Sequence, residues 1–349
     1  MSSGWVGRPS RRPSGRWTCW GLAVALAAVL ATGCAAQQPD TGSGTGDKEV
    51  ATGGRLFSTA DAETAKLGAD VGPGVFPRTI THARGTTRLE AKPTRVVVLD
   101  SGELDAVLSL GITPVGMANP NGQPPSYLAD KIAGVTKVGD TNNLDLEAVA
   151  ALHPDLILGS KLRVDQLYDP LSAIAPTVLS IRPGFPWKED FLLVAASLGE
   201  ETKATQVLND YQKRADAVKA SLSGGAPTIS LVRFMPGRIR LYGNLSFIGV
   251  ILKDVGLPRA PGQDFDELAQ EVSTETINRA DGDWIFYSSY GAPESTDQNA
   301  VVNGGLWSRL GAVQAGHVRP VDDEVWFLGL GPIGAMIVLD DLQKILATP

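Results

Sequence analysis

The chain has 349 residues, a formal net charge of −7, and 43% hydrophobic against 20% charged residues. That length suits two domains of ordinary size, and the composition is that of a globular protein with ample core-forming material. The acidic balance argues against nucleic acid, which asks for a basic stripe, and aromatic residues make up only 6%, so a Trp or Tyr in a loop carries weight.

Residues 1–33 read as an export signal. Arg8, Arg11, Arg12 and Arg16, with no acid among them, precede the short apolar run GLAVALAAVLATG, which ends in small residues at Cys34. A basic head, apolar centre and small-residue end mark a secretory leader, and the run is shorter than the ~20 residues a membrane span needs. Pro13 and Ser14 follow the arginine pair where twin-arginine export asks for apolar residues, so ordinary export is expected. LATGC resembles the lipobox of bacterial lipoproteins, which implies cleavage before Cys34 and a diacylglycerol on its sulfur; Ala31 stands where that motif usually has Leu. Cleavage removes Cys19 and leaves Cys34 alone, so no intramolecular disulfide is expected. It also removes four of the 31 basic residues, leaving 27 against 38 acidic ones, a charge of −11. Residues 34–76, rich in Gly, Thr and Ala without an apolar period, read as a flexible tether.

The body begins at residue 77. RTITHARGTTRLEA predicts two strands around a turn at Arg84-Gly85, and RVVVL a buried strand. ELDAVLSLG predicts a helix stopped at Gly111, ITPVGMA a strand, DLEAVAAL a helix, and DLILG and APTVLS further strands. Strands alternating with helices indicate an α/β lobe over 77–186 with a mostly parallel sheet. Over 187–223 the rhythm changes. Apolar residues at a 3.6 period predict a short helix, a break at Leu198-Gly199, and a helix of about 22 residues, longer than the usual ~11–12. From 224 to 349 the α/β pattern resumes: TISLVRF, RIRLYG and DWIFYSS as strands, SFIGVILKDVG and GPIGAMIVLDDLQKIL as helices. The fold class is therefore α/β, two lobes bridged by a long helix with a ligand cleft between them.

One unit is written twice. DLEAVAALHPDLILGS (145–160) laid over STETINRADGDWIFYS (273–288) without gaps puts Glu147 on Glu275, Asp155 on Asp283, Ile157 on Ile285 and Ser160 on Ser288. Each begins at a helix N-cap residue type and ends in an apolar strand. These units, with RVVVLDSGELDAVLSLGITPVG, YDPLSAIAPTV, RIRLYGNLSFIGVILKDVGLPR and VDDEVWFLGLGP, resemble the solute-binding proteins of bacterial ABC importers for iron–siderophores, cobalamin and haem. The resemblance covers about residues 78–347 and is closest to the actinobacterial ferric-siderophore branch. It implies two lobes bridged by one rigid helix, and that Glu147 and Glu275 dock into arginines of a permease dimer. Each lies two residues past an N-cap, at the positive end of a helix, where a carboxylate is placed for a bidentate pair with Arg. A capping role alone would also explain either glutamate taken singly.

In facing α/β lobes the ligand lies beyond the carboxyl ends of the strands. That places Lys161, Arg163, Arg182, Trp187, Arg233, Arg238, Tyr242, Tyr290 and Trp326 as cleft candidates, with Ser160, Phe185, Met235 and Phe327 nearby. Cations mixed with aromatics suit a large anionic or oxygen-rich ligand. The three histidines, His82, His153 and His317, are scattered, which argues against a directly bound metal, so iron is expected inside a chelator and no cofactor is expected. The apolar stretch NLSFIGV, where some catecholate-binding relatives carry an Arg, favours a hydroxamate or mycobactin-like siderophore. Haem, with His317 or a tyrosine as axial ligand, is the alternative ligand, and a cell-envelope scaffold that has lost transport is the alternative function. No G-x-S-x-G, P-loop or dinucleotide fingerprint stands in the right context, so an enzyme is not expected. The expected form is a monomer held at the outer face of the cell membrane by its lipid.

Overall fold

The computed structural model describes Thr64 and residues 66–120, 123–222 and 225–346. The leader and Cys34 lie outside the described residues. Among the described residues no helix is long and apolar enough to cross a membrane.

Strands β1 (Gly68–Ala69), β2 (Arg78–His82) and β3 (Gly85–Leu89) form a small antiparallel sheet. Arg78 is fully buried. A buried guanidinium must be paired and hydrogen-bonded; this one pairs with Glu201 and donates to the carbonyls of Val75 at 2.7 Å, Gly72 at 3.1 Å and Ala196 at 2.5 Å. Within residues 66–76, expected as tether, β1 pairs with β2 and the backbone at Gly72 and Val75 supplies acceptors to Arg78, while residues 70–75 are exposed.

The first large sheet has six strands in the order β7-β6-β5-β4-β8-β9. They are β4 (Val96–Val98), β5 (Gly116–Asn119), β6 (Thr136–Asp140), β7 (Asn143–Leu144), β8 (Leu156–Ser160) and β9 (Thr177–Ser180). All its pairings are parallel except β6 with β7. β4, β8 and β9 are buried along their whole length, as expected of parallel strands covered on both faces. Helices α1 (Ser101–Ser109), α2 (Leu146–Ala151) and α3 (Tyr168–Ile174) connect them.

The second sheet runs β12-β11-β10-β13-β14: β10 (Ile229–Met235), β11 (Arg238–Tyr242), β12 (Ala269–Val272), β13 (Trp284–Ser289) and β14 (Val318–Pro320). Here β13 pairs in parallel with β10 and β14, but β10, β11 and β12 are antiparallel. The Pro236-Gly237 turn, with Gly237 at φ +72°, folds β11 straight back on β10, so this sheet is mixed.

Between the sheets run α4 (Trp187–Leu198) and α5 (Glu201–Ser221). Gly199 ends α4 at φ +66°, and a β-carbon there would lie 2.7 Å from the Phe76 ring, so only glycine fits this break. α5 changes core along its length. Ala204 belongs to the cluster of the first lobe; Tyr211, Ala215 and Val218 belong to that of the second. In chain order the remaining long helices are α6 (Phe247–Val255) and α7 (Pro332–Leu346).

The lobes are also pinned by Asp105 of α1. Its carboxylate accepts from the backbone N–H groups of Ile333 at 2.8 Å and Gly334 at 2.9 Å, at the N-terminus of α7, and from the Tyr127 hydroxyl at 2.8 Å. Gly331 permits this approach: a β-carbon there would sit 2.6 Å from Asp105 Cγ. Burial pushes the Asp105 carboxyl up to about 7, against ~3.9 unfolded. Between those values the folded chain holds the proton that the unfolded chain releases, so the stability it contributes is present below about pH 4 and is lost as pH rises through 7. The urea midpoint is expected to fall from pH 5 to pH 7.5, and Asp105→Asn to flatten part of that fall. Parallel profiles for the two proteins would remove Asp105 as its source.

Candidate functional site

The carboxyl ends of both sheets open on one cleft of about 360 Å³. Leu162, Arg163 and Arg182 line it from the turns after β8 and β9, and Ser101 and Asn119 from the ends of β4 and β5. From the second lobe come Arg233, Met235, Arg238, Arg240, Tyr242, Tyr290 and Phe327. Glu324 is the one acid among the lining residues, and its carboxylate already accepts from the Ser126 N–H of the opposite lobe at 2.7 Å.

Pairing register arranges the second wall. Ser288 stands opposite Arg233, Arg233 opposite Arg240, and Arg240 opposite Glu271, a row of side chains across four strands. Two arginines directly opposite repel, and each is compensated by a different acid. Arg233, 4% exposed, makes a bidentate pair with Asp323 at 2.7 and 2.5 Å and bonds the Tyr242 hydroxyl at 3.1 Å. Its guanidinium lies 4.7 Å from the Tyr290 ring centre and 5.4 Å from that of Phe327, close enough for cation–π attraction. Arg238 and Arg240 share Glu271, each at 3.4 Å. Burial, and then the charge of Arg240, lowers the pKa of Arg238 from its usual value. On the first wall Arg163 Nε lies 3.4 Å from the buried Asp100.

The cleft thus brings together Arg163, Arg182, Arg233, Arg238, Tyr242, Tyr290 and Trp326 of the residues expected from sequence. Two expectations are corrected. Lys161 opens a short helical turn (Lys161–Val164) and is not among the lining residues: that turn presents Leu162 and Arg163 to the cleft instead. Trp187, expected in the cleft, is the first residue of α4, 1% exposed, edge-on to Tyr211 and Phe247 at 5.0 and 5.9 Å, so it is a core residue beneath the cleft. Phe185 is likewise buried in the second lobe's core. Trp326 is fully buried and forms cleft floor, its indole N–H donating to Asp341 at 2.9 Å. Arg240 was missed. The period-two alternation of Arg238, Arg240 and Tyr242 on one strand face carried the signal. His317 stacks on Trp284 at 4.5 Å, at the end of β13 remote from Ser288, so it is not placed to ligate haem in the cleft.

The duplicated units fold alike at three points. Asp155 accepts from the Thr94 N–H and hydroxyl at 2.8 and 2.9 Å, and Asp283 from those of Thr228 at 2.7 and 2.8 Å, tying each β8-type strand to its neighbour. Ser160 bonds Asp100 at 3.2 Å, and Ser288 bonds Asp323 at 2.7 Å, orienting the acid that faces a cleft arginine. Glu147 and Glu275 are both exposed, each the second residue of its helix behind N-caps Asp145 and Ser273. The second helix is 3₁₀. Hydrogen bonding, first from Ser273, holds the Glu275 carboxyl below its usual pKa, so it is ionised at neutral pH.

Residues 96–325 match the family model described as periplasmic binding protein. A probable siderophore-binding lipoprotein of Bacillus subtilis, YfiY, is 37% identical over 281 residues, covering 76% of this chain and 86% of that protein. The achromobactin-binding periplasmic protein of Dickeya dadantii is 30% identical over 266 residues, 72% of this chain and 86% of that one. Among solved structures, Staphylococcus aureus SirA complexed with staphyloferrin B superposes with a TM-score of 0.69 at 30% identity, over 77% of this chain and 98% of that one. With two thirds of its length inside the family model and both lobes in place, the chain belongs to the periplasmic binding protein family.

Proposed function

We propose that this protein captures a ferric siderophore in the cleft and delivers it to an ABC permease, that the chelate it takes is anionic and carboxylate-bearing, and that it works outside the cytoplasm, a monomer held by a lipid on Cys34. The observation that carries the ligand class is the cluster of five guanidinium groups in the lining, with Glu324 the one lining acid, Asp100, Asp323 and Glu271 pairing behind them, and Arg238 and Arg240 sharing a single carboxylate at 3.4 Å. Guanidinium groups match carboxylates in planar, bidentate geometry, and burial strengthens each such bond. The relatives support the siderophore, since similar proteins are named for achromobactin and Fe(3+)-citrate and SirA is complexed with staphyloferrin B. Against the hydroxamate or mycobactin-like cargo expected from the apolar NLSFIGV stretch stand Arg233, Arg238 and Arg240, which line the same wall as Phe247 and Ile248 of that stretch.

The mature chain, with Cys34 replaced by Ser, is expected to show saturable quenching of tryptophan fluorescence by ferric citrate. A cationic ferric trihydroxamate is expected to bind at least tenfold more weakly. Saturation only by the trihydroxamate or by haem would overturn the ligand class; saturation by none would overturn capture.

A further inference from the structure

Beneath the cleft lies a second cavity, of about 10 Å³, room for about one water. Its walls come from α1 (Gly102, Glu103, Ala106), from α4 (Trp187, Asp190 and the turn after it) and from Leu330 and Gly331 of the second lobe. Three buried polar atoms of these walls lack a hydrogen-bond partner: Glu103 Oε2, Trp187 Nε1 and Asp190 Oδ1. Such orphans are rare and costly inside a protein, and here all three belong to one small space. The indole N–H can only donate, whereas each carboxyl accepts when ionised and can also donate when protonated. A water accepting from Trp187 and hydrogen-bonded to the Glu103 and Asp190 carboxyls, donating or accepting as their protonation requires, satisfies all three.

The charged groups facing this space connect it to the cleft. Ser180 donates to the other Glu103 oxygen at 3.0 Å. Asp100, at the N-cap of α1, faces Glu103 and is approached by Arg163 at 3.4 Å. From α4 comes Asp190, with the exposed Glu189 adding its charge from outside the cavity; the second lobe's wall, Leu330 and Gly331, brings no titratable group. Burial, and then the charge of Asp100, pushes Glu103 up to about 8. Burial, then Glu103, also raises Asp190. The cations opposing these rises are Arg163 and Arg182, both lining residues of the cleft.

We propose that this cavity binds one water shared by Glu103, Trp187 and Asp190, that the two carboxyls around it form a proton store, and that an anionic chelate bound to Arg163 and Arg182 draws a proton into the store. A bound anion offsets the two guanidinium charges, so the carboxyls hold protons more tightly. The proton comes from solvent, and by reciprocity the affinity for the anion falls as pH rises through about 8. The linkage rests on the capture of an anionic chelate proposed above; the water site does not.

The test has two parts on the mature Cys34→Ser chain. Without ligand, the Trp187 indole N–H, assigned by its loss in Trp187→Phe, is expected to show cross-relaxation with a long-lived water. Its resonance should titrate with a midpoint near pH 8 that disappears in Glu103→Gln, with Asp190→Asn as the second variant if that one does not fold. With ferric citrate, calorimetry at pH 8 in buffers of different protonation enthalpy should show proton uptake on binding, at least halved in the same variant. No water contact and no titration at Trp187 would overturn the site. Uptake absent from the parent, or undiminished in the variant, would overturn the linkage. Failure of ferric citrate to bind would retire the chelate reading and the linkage together, while the indole alone decides the water site.

Discussion

Arg240→Met is expected to weaken binding of ferric citrate by roughly ten- to a hundredfold, because hydrogen bonds to charged groups contribute about 1.5–3 kcal/mol each, while leaving the fold almost as stable as before. Arg233→Met is expected to do the reverse in part: a comparable loss of affinity with a large loss of stability. The two arginines are neighbours in register, yet their partnerships differ. Arg233 is locked by two short bonds to Asp323, which also holds Ser288. Its removal strands a part-buried carboxylate, a loss of about 3–5 kcal/mol when one partner of a buried pair is deleted. Arg240 reaches Glu271 only at 3.4 Å and shares it with Arg238, so its donors are the more available to a ligand. Chemical denaturation and ferric citrate titration of both variants check this. Equal losses of affinity and stability in Arg240→Met would mean that its pair with Glu271 is structural and the ligand binds elsewhere.

Charge reversal at Glu147 and Glu275 together is expected to abolish uptake of the iron chelate by cells while changing its affinity for the isolated protein less than twofold. Both side chains are exposed, and neither is a lining residue of the cleft. Each sits in the first turn of its helix, in equivalent places on the two lobes, where the helix dipole favours a carboxylate and disfavours an introduced arginine. Uptake of labelled ferric citrate in cells carrying the double variant, set beside binding by the purified protein, separates docking from capture. Retained uptake would remove the glutamates from docking and return them to a capping role; a large loss of affinity would mean that the substitutions disturb the lobes.

The two-lobed plan was legible because it is written in local, repeated signals. Buried valine and isoleucine runs mark the central strands, and Gly199 marks the break between α4 and α5. The superposition of 145–160 on 273–288 marks the lobes as kin, and even the shared Asp and Ser proved to have matching partners. What sequence did not disclose depends on pairing across the chain. The antiparallel turn of β11 onto β10 decides that Arg240 faces Arg233. A helix from 187 was expected, but the burial of the Trp187 ring was not, since it rests on Tyr211 and Phe247, which lie 24 and 60 residues away. The tie of the exposed stretch at 70–75 to the body was hidden for the same reason, since it rests on one buried guanidinium at Arg78 meeting carbonyls from Gly72, Val75 and Ala196.

Helix α5 gives Ala204 to one core and Tyr211, Ala215 and Val218 to the other. Each half of the molecule therefore borrows an apolar stripe from a rod that the other half also needs. Although the sheets read as a doubled plan, the protein is not two modules on a string. A cut on either side of α5 leaves one fragment with an uncovered core, and melting of either sheet withdraws the shared rod from its sibling. The two halves are therefore expected to unfold in a single transition, and two separate calorimetric transitions would mean that each sheet holds without the shared rod.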